Sequence, residues 1–345
     1  MIWESLSTRR SPAPVSSVSG VSPLALALQG GGAYGAYAWG VLDRLLQERE
    51  LSLAGFSGAS AGAINAVVAA SGWLAGGAQG ARDALSRLWA GVGQMSLFSP
   101  LGLPGASLQF DLMTRVLSPY QFNPLNINPL RDLLASLVDF EALRGRGRLP
   151  LFISATNVRT GAQRVFREHE MTVDVLMAST CIPYVSQAVE IEGEAYWDGG
   201  FSSNPPILPP VLESGCRALL LVKLTPDVEP DLPTAAPDIF ARLKRIMFNA
   251  PLLRDLEALA EMQRLLKRTN LLPSDLRRLR DLTLYQLAIE PEFFAPANGS
   301  ALDPHPELLT RLFDAGGASA EAMLRRWRLE PEALRSNRAG GQPKS

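Results

Sequence analysis

The chain has 345 residues, of which 47% are hydrophobic and 19% charged, with a formal net charge of −1 at pH 7. This length suits one large α/β domain, or a domain with an extension, and it allows a sizeable buried core. The balanced charge excludes a whole-protein field that attracts nucleic acid, so any affinity for anions or membranes must come from a local patch.

The cysteines and the first residues indicate a reducing compartment. Cys181 and Cys216 are too few for a disulfide framework, and neither has a metal-ligand spacing. Residues 1–22 are rich in Ser, Pro and Arg without periodicity, which predicts a flexible arm. Because serine and proline follow Arg9 and Arg10 instead of an apolar run, we expect no secretory signal and a cytoplasmic location.

Strand and helix patterns then alternate. Leu24–Leu28 is an apolar run that stops at glycines, which predicts a buried strand, and the spacing over Ala33–Glu48 predicts a helix. Leu51–Phe56 and Ser60–Trp73 repeat the pair. This order predicts an α/β fold with a mostly parallel central sheet flanked by helices.

An uncharged stretch from Leu51 to Ala81 raises the question of a membrane span. Gly58 and Gly62 within it have the spacing found in paired membrane helices. The stretch is mostly Ala, Gly and Ser, and its hydrophobicity is weak for a span. A buried strand, turn and helix explains the missing charges better.

The middle of the chain is predicted to complete the sheet. Residues 76–145 look mainly helical, with connections near Ser99–Gly105 and Pro119–Pro129, and whether they form a lid is left open. We expect a short helix at 172–180. Strands are predicted at Leu149–Val158, Ala162–Arg167, Ala188–Trp197 and Ala218–Leu224, the last of these closing the core.

Composition changes after about residue 226. Between Arg242 and Arg280 there are ten Lys or Arg residues against four Asp or Glu, and we expect a mainly helical extension over 226–334 and a disordered tail over 335–345. Pro251 is expected in the first turn of a helix capped by Asn249. One apolar face is predicted to pack on the core beneath a solvated basic face, with lipid-surface binding as the alternative. That face comprises Ile239, Leu243, Ile246, Leu253, Leu256 and Ala260.

The pentapeptide Gly58-Ala59-Ser60-Ala61-Gly62 lies between a predicted strand and a predicted helix. In that context a G-x-S-x-G match indicates a nucleophilic serine on a sharp turn. The N–H groups at the helix start would face Ser60 and any oxyanion formed beside it. A serine that merely caps a helix would also fit the pentapeptide.

A triple glycine follows the first strand, in Gly30-Gly31-Gly32-Ala33-Tyr34-Gly35. It also fits the G-x-G-x-x-G dinucleotide fingerprint, but no carboxylate stands at the end of the next strand to hold a ribose. Consecutive glycines let backbone N–H groups converge on one point, as in lipase oxyanion loops. We therefore favour an oxyanion loop.

The chain has two histidines to serve as the base. His169 sits in a charged stretch and His305 between two prolines, and neither ends a strand beside a glycine turn. Asp198 does, because Gly199 and Gly200 follow it directly. An aspartate must be partly desolvated to act as a base, and the neighbouring aromatic residues Tyr196, Trp197 and Phe201 could provide that environment.

Taken together, the triple glycine, Gly-Ala-Ser-Ala-Gly, Ala178-Ser179-Thr180-Cys181-Ile182-Pro183 and Asp198-Gly199-Gly200 resemble the patatin-like phospholipase family in order and spacing. The resemblance covers about residues 23–225. The stretch Ile246–Arg254 resembles part of an extra helical domain in one bacterial branch of that family.

The resemblance implies that Ser60 is the nucleophile and Asp198 the general base of a dyad. It implies an oxyanion site lined by Gly30, Gly31, Gly32, Ala33 and Ala61, within motifs that include Gly58, Gly62, Gly199 and Gly200. It implies no metal and no cofactor, a lipid or ester substrate, and peripheral membrane contact.

One position departs from the family. Tyr34 stands where many members carry Arg or Lys, and a phenol is neutral with one donor. This favours a neutral lipid, a lysolipid or another ester over a phospholipid head group. An acyltransferase with the same dyad, and a non-catalytic protein that binds membranes or partners, remain alternatives, and the oligomeric state is left open.

Overall fold

The computed structural model describes residues 23–97, 116–145, 149–226, 228–229, 232–269, 271–294 and 304–329. The predicted flexible arm, the predicted tail and the connection at 99–105 lie outside these residues.

The described strands are β1 (Leu24–Leu28), β2 (Leu53–Gly58), β3 (Leu151–Asn157), β4 (Gln163–Arg167), β5 (Val189–Ile191), β6 (Glu194–Asp198), β7 (Ala218–Lys223) and β8 (Thr283–Ala288). The described helices are α1 (Gly35–Leu45), α2 (Ala61–Leu97), α3 (Pro119–Phe122), α4 (Pro129–Leu137), α5 (Phe140–Arg144), α6 (Val173–Ser179), α7 (Leu208–Glu213), α8 (Ala236–Leu266), α9 (Ser274–Asp281) and α10 (Pro306–Leu329). Short 3-10 turns cover Gly32–Tyr34, Glu168–Glu170, Gly199–Phe201 and Pro291–Phe294.

All the described strands belong to one sheet in the order β5-β6-β3-β2-β1-β7-β8, with β4 paired to β3. The central pairs and the β7–β8 pair are parallel, whereas β4, β5 and β6 join in antiparallel fashion. The predicted fold, a mostly parallel sheet flanked by helices with a largely helical C-terminal region, is confirmed.

The central strand β1 separates two layers of core. Its alternating side chains follow the strand period of two. Leu24, Leu26 and Leu28 belong to the larger core, which includes residues of α1, α2 and α10. The small Ala25 and Ala27 face the opposite layer, where side chains of α7, α8 and α9 pack. The small residues of β1 therefore face the layer that contains α8.

Helix α2 is long and apolar enough to cross a membrane. However, 67% of its most apolar window is buried inside the protein, and the helix breaks at Gly76 and Gly77, whose dihedral angles are not helical. Its first half packs between the sheet and α1, with Ala66, Val67 and other small apolar residues fully buried. The buried strand–turn–helix interpretation of this stretch agrees with these contacts.

Three local predictions are wrong. Ala188–Trp197 is not one strand but the hairpin β5–β6, because Glu192 and Gly193 have φ values of 53° and 80° and form a tight turn. Ala218–Leu224 is not the last core strand, since β8 continues the sheet in register with β7. Pro251 does not begin a helix but lies inside α8.

The apolar face predicted on the extension is also wrong in part. Ile239, Leu243, Ile246 and Leu253 are about half exposed rather than packed on the core. The buried side of α8 is formed instead by Pro251, Leu252 and Leu259.

Helices α1 and α10 approach each other at glycines. A Cβ atom on Gly40 would lie 2.0 Å from the carbonyl oxygen of Phe313, and a Cβ atom on Gly316 would lie 2.0 Å from the carbonyl oxygen of Tyr37. Neither neighbour is a flexible side-chain end, so only glycine permits the two backbones to come this close.

We therefore expect Gly316→Ala to lower the free energy of unfolding by at least about 2 kcal/mol, since a backbone must move to admit the methyl group. The adjacent Gly317→Ala is the matched control, because its Cβ atom would lie 3.8 Å from the nearest neighbour, the Gly40 carbonyl oxygen. Its better helix propensity should leave stability unchanged or raised by up to about 1 kcal/mol. Urea unfolding measures both, and equal effects would contradict the close-packing argument.

Candidate active site

Strand register brings the two predicted catalytic side chains to the same level. Strand β3 has β4 along one edge, while β2 and β6 pair with its other edge, where Gly58 is opposite Ile153 and Asp198 is opposite Ala155. Asp198 thus stands two residues beyond the level of Gly58, beside the turn that carries Ser60. Ser60 and Asp198, far apart in the chain, meet because the ends of β2 and β6 follow one another along that edge of β3.

Ser60 occupies a strained turn between β2 and α2. Its φ of 52° lies in the left-handed region, which a serine rarely adopts. The flanking glycines make the turn possible: a Cβ atom on Gly62 would lie 2.0 Å from the Leu28 carbonyl oxygen, and one on Gly58 would lie 2.6 Å from the Ala63 nitrogen. This is the conformation expected of a nucleophilic serine on a strand-to-helix turn.

Asp198 is fully buried at the end of β6. Its Oδ1 atom accepts a hydrogen bond from the Gly200 N–H at 2.7 Å, whereas its buried Oδ2 atom has no hydrogen-bond partner within the described residues. The backbone of Asp198 is fixed by Thr156, whose hydroxyl donates to its carbonyl oxygen at 2.7 Å, and by the Cys181 carbonyl oxygen, which accepts from its N–H at 2.8 Å. The unpartnered oxygen leaves one acceptor position for a proton.

Burial raises the pKa of Asp198 to about 7. The neighbouring Ser60 hydroxyl and the Gly200 N–H both act in the opposite direction and lower the pKa, because they interact favourably with the charged form. The Ser60 hydroxyl therefore lies close enough to the carboxyl group to act on its pKa, while Oδ2 itself forms no hydrogen bond within the described residues. A carboxylate with this pKa can exchange a proton near neutral pH.

Neither histidine takes part in this arrangement. His169 lies in the 3-10 turn after β4, and His305 precedes α10. In the part of the chain that the structure describes, neither forms a hydrogen bond with Ser60 or Asp198, so no histidine stands between the hydroxyl and the carboxylate. That part of the chain also contains no cluster of three or more His, Cys, Asp or Glu residues suited to a metal ion.

The triple glycine lies directly against the serine. A Cβ atom on Gly30 would lie 2.7 Å from the Ser60 Cβ atom. However, the Gly30 N–H already donates to Asn204 Oδ1 at 2.7 Å, so this predicted donor is occupied. The N–H groups of Gly31 and Gly32 form no hydrogen bond with other described residues, and Gly32 has a φ of 59°. These two amides, and that of Ala33, which also forms no hydrogen bond with other described residues, are available as donors.

The other predicted oxyanion residues lie nearby in the chain. Ala33 is buried in the 3-10 turn Gly32–Tyr34, and Ala61 is the first residue of α2, where N–H groups have no intrahelical acceptor. Tyr34 is buried too, and its ring packs 4.8 Å from that of Phe294. Its burial raises the pKa of the phenol, so Tyr34 is a neutral core residue.

The sequence did not predict that two polar residues of the site, Ser179 and Asn204, form hydrogen bonds there. Ser179, at the end of α6, accepts a hydrogen bond from the Ser60 N–H at 3.0 Å through its hydroxyl oxygen. Asn204 bonds the Gly30 amide as described above. The first lies in the Ala178–Pro183 stretch noted in the sequence, whereas nothing in the pattern around Asn204 distinguishes it from an ordinary loop residue.

Helix α8 covers the site from the C-terminal side. The Phe248 ring lies against the turn after Asp198: a Cβ atom on Gly200 would lie 2.5 Å from it, and its centroid is 4.6 Å from that of Phe201. The next residue, Asn249, accepts a hydrogen bond from Gln29 Nε2 at 3.1 Å. With this cover in place Ser60 is only 7% exposed.

Comparison with known proteins places the chain in a class. The model of the patatin-like phospholipase family matches residues 26–211, more than half of the chain. The matched region contains Ser60, Asp198 and the triple glycine. The chain belongs to the patatin-like phospholipase family, whose membership implies a lipid hydrolase.

Similarity to individual proteins is low. No curated protein matches the chain. VipD from Legionella pneumophila is 14% identical with a TM-score of 0.44, over 89% of this chain and 67% of that one. A chain from the complex of SpcU with ExoU, of the type III secretion system of Pseudomonas aeruginosa, is 16% identical with a TM-score of 0.32, over 93% of this chain and 62% of that one.

The buried carboxylate has a consequence for stability. Because the folded state holds the Asp198 proton more tightly than the unfolded chain does, protons favour folding, and this contribution is lost as the pH rises through about 7. We expect Asp198→Asn, which stays neutral, to raise the free energy of unfolding by up to about 4 kcal/mol at pH 8 and by less than half as much at pH 5, because the carboxyl of the unfolded chain ionises above about pH 4.

Urea unfolding at both pH values measures this difference. Asp238→Asn, at an exposed position in the first turn of α8, is the control and should change stability by less than about 1 kcal/mol. A gain from Asp198→Asn that is the same at pH 5 and pH 8 would contradict the burial argument.

Proposed function

We propose that the chain is a carboxylic-ester hydrolase of lipids that works through a Ser60–Asp198 dyad and an acyl-enzyme. The observation that carries the proposal is the meeting of a serine in a left-handed turn with a fully buried carboxylate whose pKa is raised to about 7. The unoccupied amides of Gly31 and Gly32 beside them support an oxyanion site.

The proposed reaction has two steps. Asp198 accepts the proton of Ser60 as the serine oxygen bonds to the ester carbonyl carbon, and the Gly31 and Gly32 amides donate to the negative carbonyl oxygen. When the ester bond breaks, the proton passes from Asp198 to the departing alcohol. Water then loses a proton to the same carboxylate and attacks the acyl-enzyme, which releases the fatty acid and returns the proton to Ser60.

The residue at position 34 bears on the head group. The Tyr34 side chain is buried against Phe294 and itself supplies no cation, and Arg245, whose charge lowers the phenol pKa, is paired with Glu229. This supports a neutral lipid, a lysolipid or another ester as substrate, since binding a phosphate there would lack a charged partner on this loop.

We further propose that the first half of α8 contacts a membrane surface, with the enzyme in the cytoplasm. Several large apolar side chains lie exposed there, next to the segment that covers the dyad: Ile239, Phe240, Leu243, Ile246 and Met247. Arg242 and Arg245 on the same half form ion pairs with Glu229, so apolar contact would contribute more than charge.

The dyad is tested with a soluble p-nitrophenyl ester. We expect Ser60→Ala to reduce hydrolysis at least 10³-fold, because the variant lacks the oxygen that attacks the ester. A fluorophosphonate should label wild type and not the variant. Retained turnover by folded Ser60→Ala protein would contradict the assignment.

Added acceptor alcohols separate the related alternatives. Ester products in place of fatty acid would indicate an acyltransferase with the same first step. Lipid binding without any labelling or turnover in wild type would support the non-catalytic alternative and contradict the proposed hydrolase.

The membrane contact is tested by introducing carboxylates on the apolar face of α8. We expect Leu243→Asp combined with Ile246→Asp to reduce sedimentation with phosphatidylcholine vesicles about tenfold or more, while hydrolysis of the soluble ester changes less than twofold, because apolar burial in the lipid is lost. Leu271→Asp is the control, since Leu271 is 93% exposed and lies outside α8. Equal losses for both changes would contradict a contact specific to α8.

A further inference from the structure

The buried side chain of Asn204 connects the glycine loop to α8. Asn204 is 0% exposed, and both ends of its carboxamide are used. Its Oδ1 atom accepts from the Gly30 N–H at 2.7 Å, and its Nδ2 atom donates to the Phe248 carbonyl oxygen at 3.0 Å. Because one partner is a donor and the other an acceptor, the orientation of the amide is determined by its neighbours.

Asn204 binds Gly30, which is the residue of the glycine loop that lies against Ser60. A Cβ atom on Gly30 would lie 2.7 Å from the Ser60 Cβ atom, 2.8 Å from the Ala59 carbonyl oxygen and 3.1 Å from Asn204 Oδ1. Gly30 is thus enclosed between the serine turn and the asparagine. Its own N–H is bonded to Asn204.

Three consecutive glycines would otherwise leave the loop loose. Glycine loses more conformational freedom on folding than any other residue, and amides that reorient during the reaction stabilise an oxyanion less than fixed ones do. Gln29 holds the preceding position, since its Oε1 atom accepts from the Leu224 N–H at 2.6 Å. Asn204 fixes the first glycine itself, so the two following amides start from a defined direction.

Resting on the proposed function, we propose that Asn204 is a positioning residue for acyl transfer. By binding the Gly30 N–H, its carboxamide keeps the amides of Gly31 and Gly32 directed at the carbonyl oxygen beside Ser60. Asn204 does not touch the substrate and acts through the loop.

The test compares Asn204→Ala with Asn204→Asp, which keeps an acceptor oxygen for Gly30. For p-nitrophenyl ester hydrolysis, with active sites counted by fluorophosphonate titration, we expect Asn204→Ala to lower kcat about 30- to 300-fold per titrated site, with KM changed less than threefold. Asn204→Asp should recover at least tenfold of that loss. The affinity for a trifluoromethyl ketone, which forms an oxyanion on the serine, should fall in parallel with kcat/KM.

A matched control separates positioning from stability. Asn65 is also a fully buried amide with both ends bonded, to the Gly35 carbonyl oxygen and the Trp89 Nε1–H at 2.9 Å each. Asn65→Ala should lower the melting temperature to a similar degree and leave kcat per titrated site within threefold of wild type.

Three results would overturn the positioning role alone, given wild type that is labelled and active. They are a kcat per titrated site within threefold of wild type in Asn204→Ala, an unchanged affinity for the ketone, and an equal kcat loss in Asn65→Ala. Wild type that the fluorophosphonate does not label would instead contradict the proposed function itself.

Discussion

The Asp198 carboxylate, with one oxygen that has no hydrogen-bond partner within the described residues, is buried where β2 and β6 meet on β3. Much of the architecture holds it in that position. Burying a charge without full hydrogen bonding is expensive, so the neutral form is favoured and the surrounding fold must supply the difference. Strand β3 provides the rigid support, because it pairs with β2 and β6 at once and sets Asp198 against Ser60. A slip of one register position would point the carboxylate to the other face of the sheet.

The second recurring feature is the close approach of two main chains at a glycine. Near the dyad, Gly62 meets the Leu28 carbonyl and Gly199 meets the Ser154 carbonyl, each at a distance that excludes a methyl group. The same device joins α1 to α10 far from the site. Glycines here allow elements to pack at backbone distance, which places amides and carbonyls where side chains would otherwise stand.

The turns that carry the triple glycine, Ser60 and Asp198 could be predicted from the sequence, because the residue patterns that specify them are local. An apolar run that ends in glycines, a serine between two glycines after a strand, and an aspartate before two glycines each specify a turn at the end of a strand. The supporting polar residues could not be predicted in this way. Ser179 and Asn204 act on Ser60 and Gly30 from 119 and 174 residues away, so their roles exist only in the folded chain.

The C-terminal region resisted prediction for the same reason. Strand β8 is a half-buried edge strand that follows the basic stretch with its helical spacing, and its pairing with β7 places it in the sheet. Helix α8 continues through Pro251 although proline in a helix interior costs about 3 kcal/mol. Contacts of Phe248 and Asn249 with Asn204, Gln29 and Thr225 offset part of that cost.

The position of β8 and α10 affects how the protein can be made. Strand β1 begins at residue 24, yet its neighbour β7 lies near residue 220, and α1 packs on a helix that starts at residue 306. During synthesis, all the elements from β1 to α10 must emerge from the ribosome before the layer of α1 and α10 can close. Until β7 emerges, β1 has β2 beside it but its other edge, which later pairs with β7, is exposed, a situation that favours aggregation of nascent chains. The cover over Ser60 forms later than this pairing, because Phe248 and Asn249 of α8 must emerge before it can close.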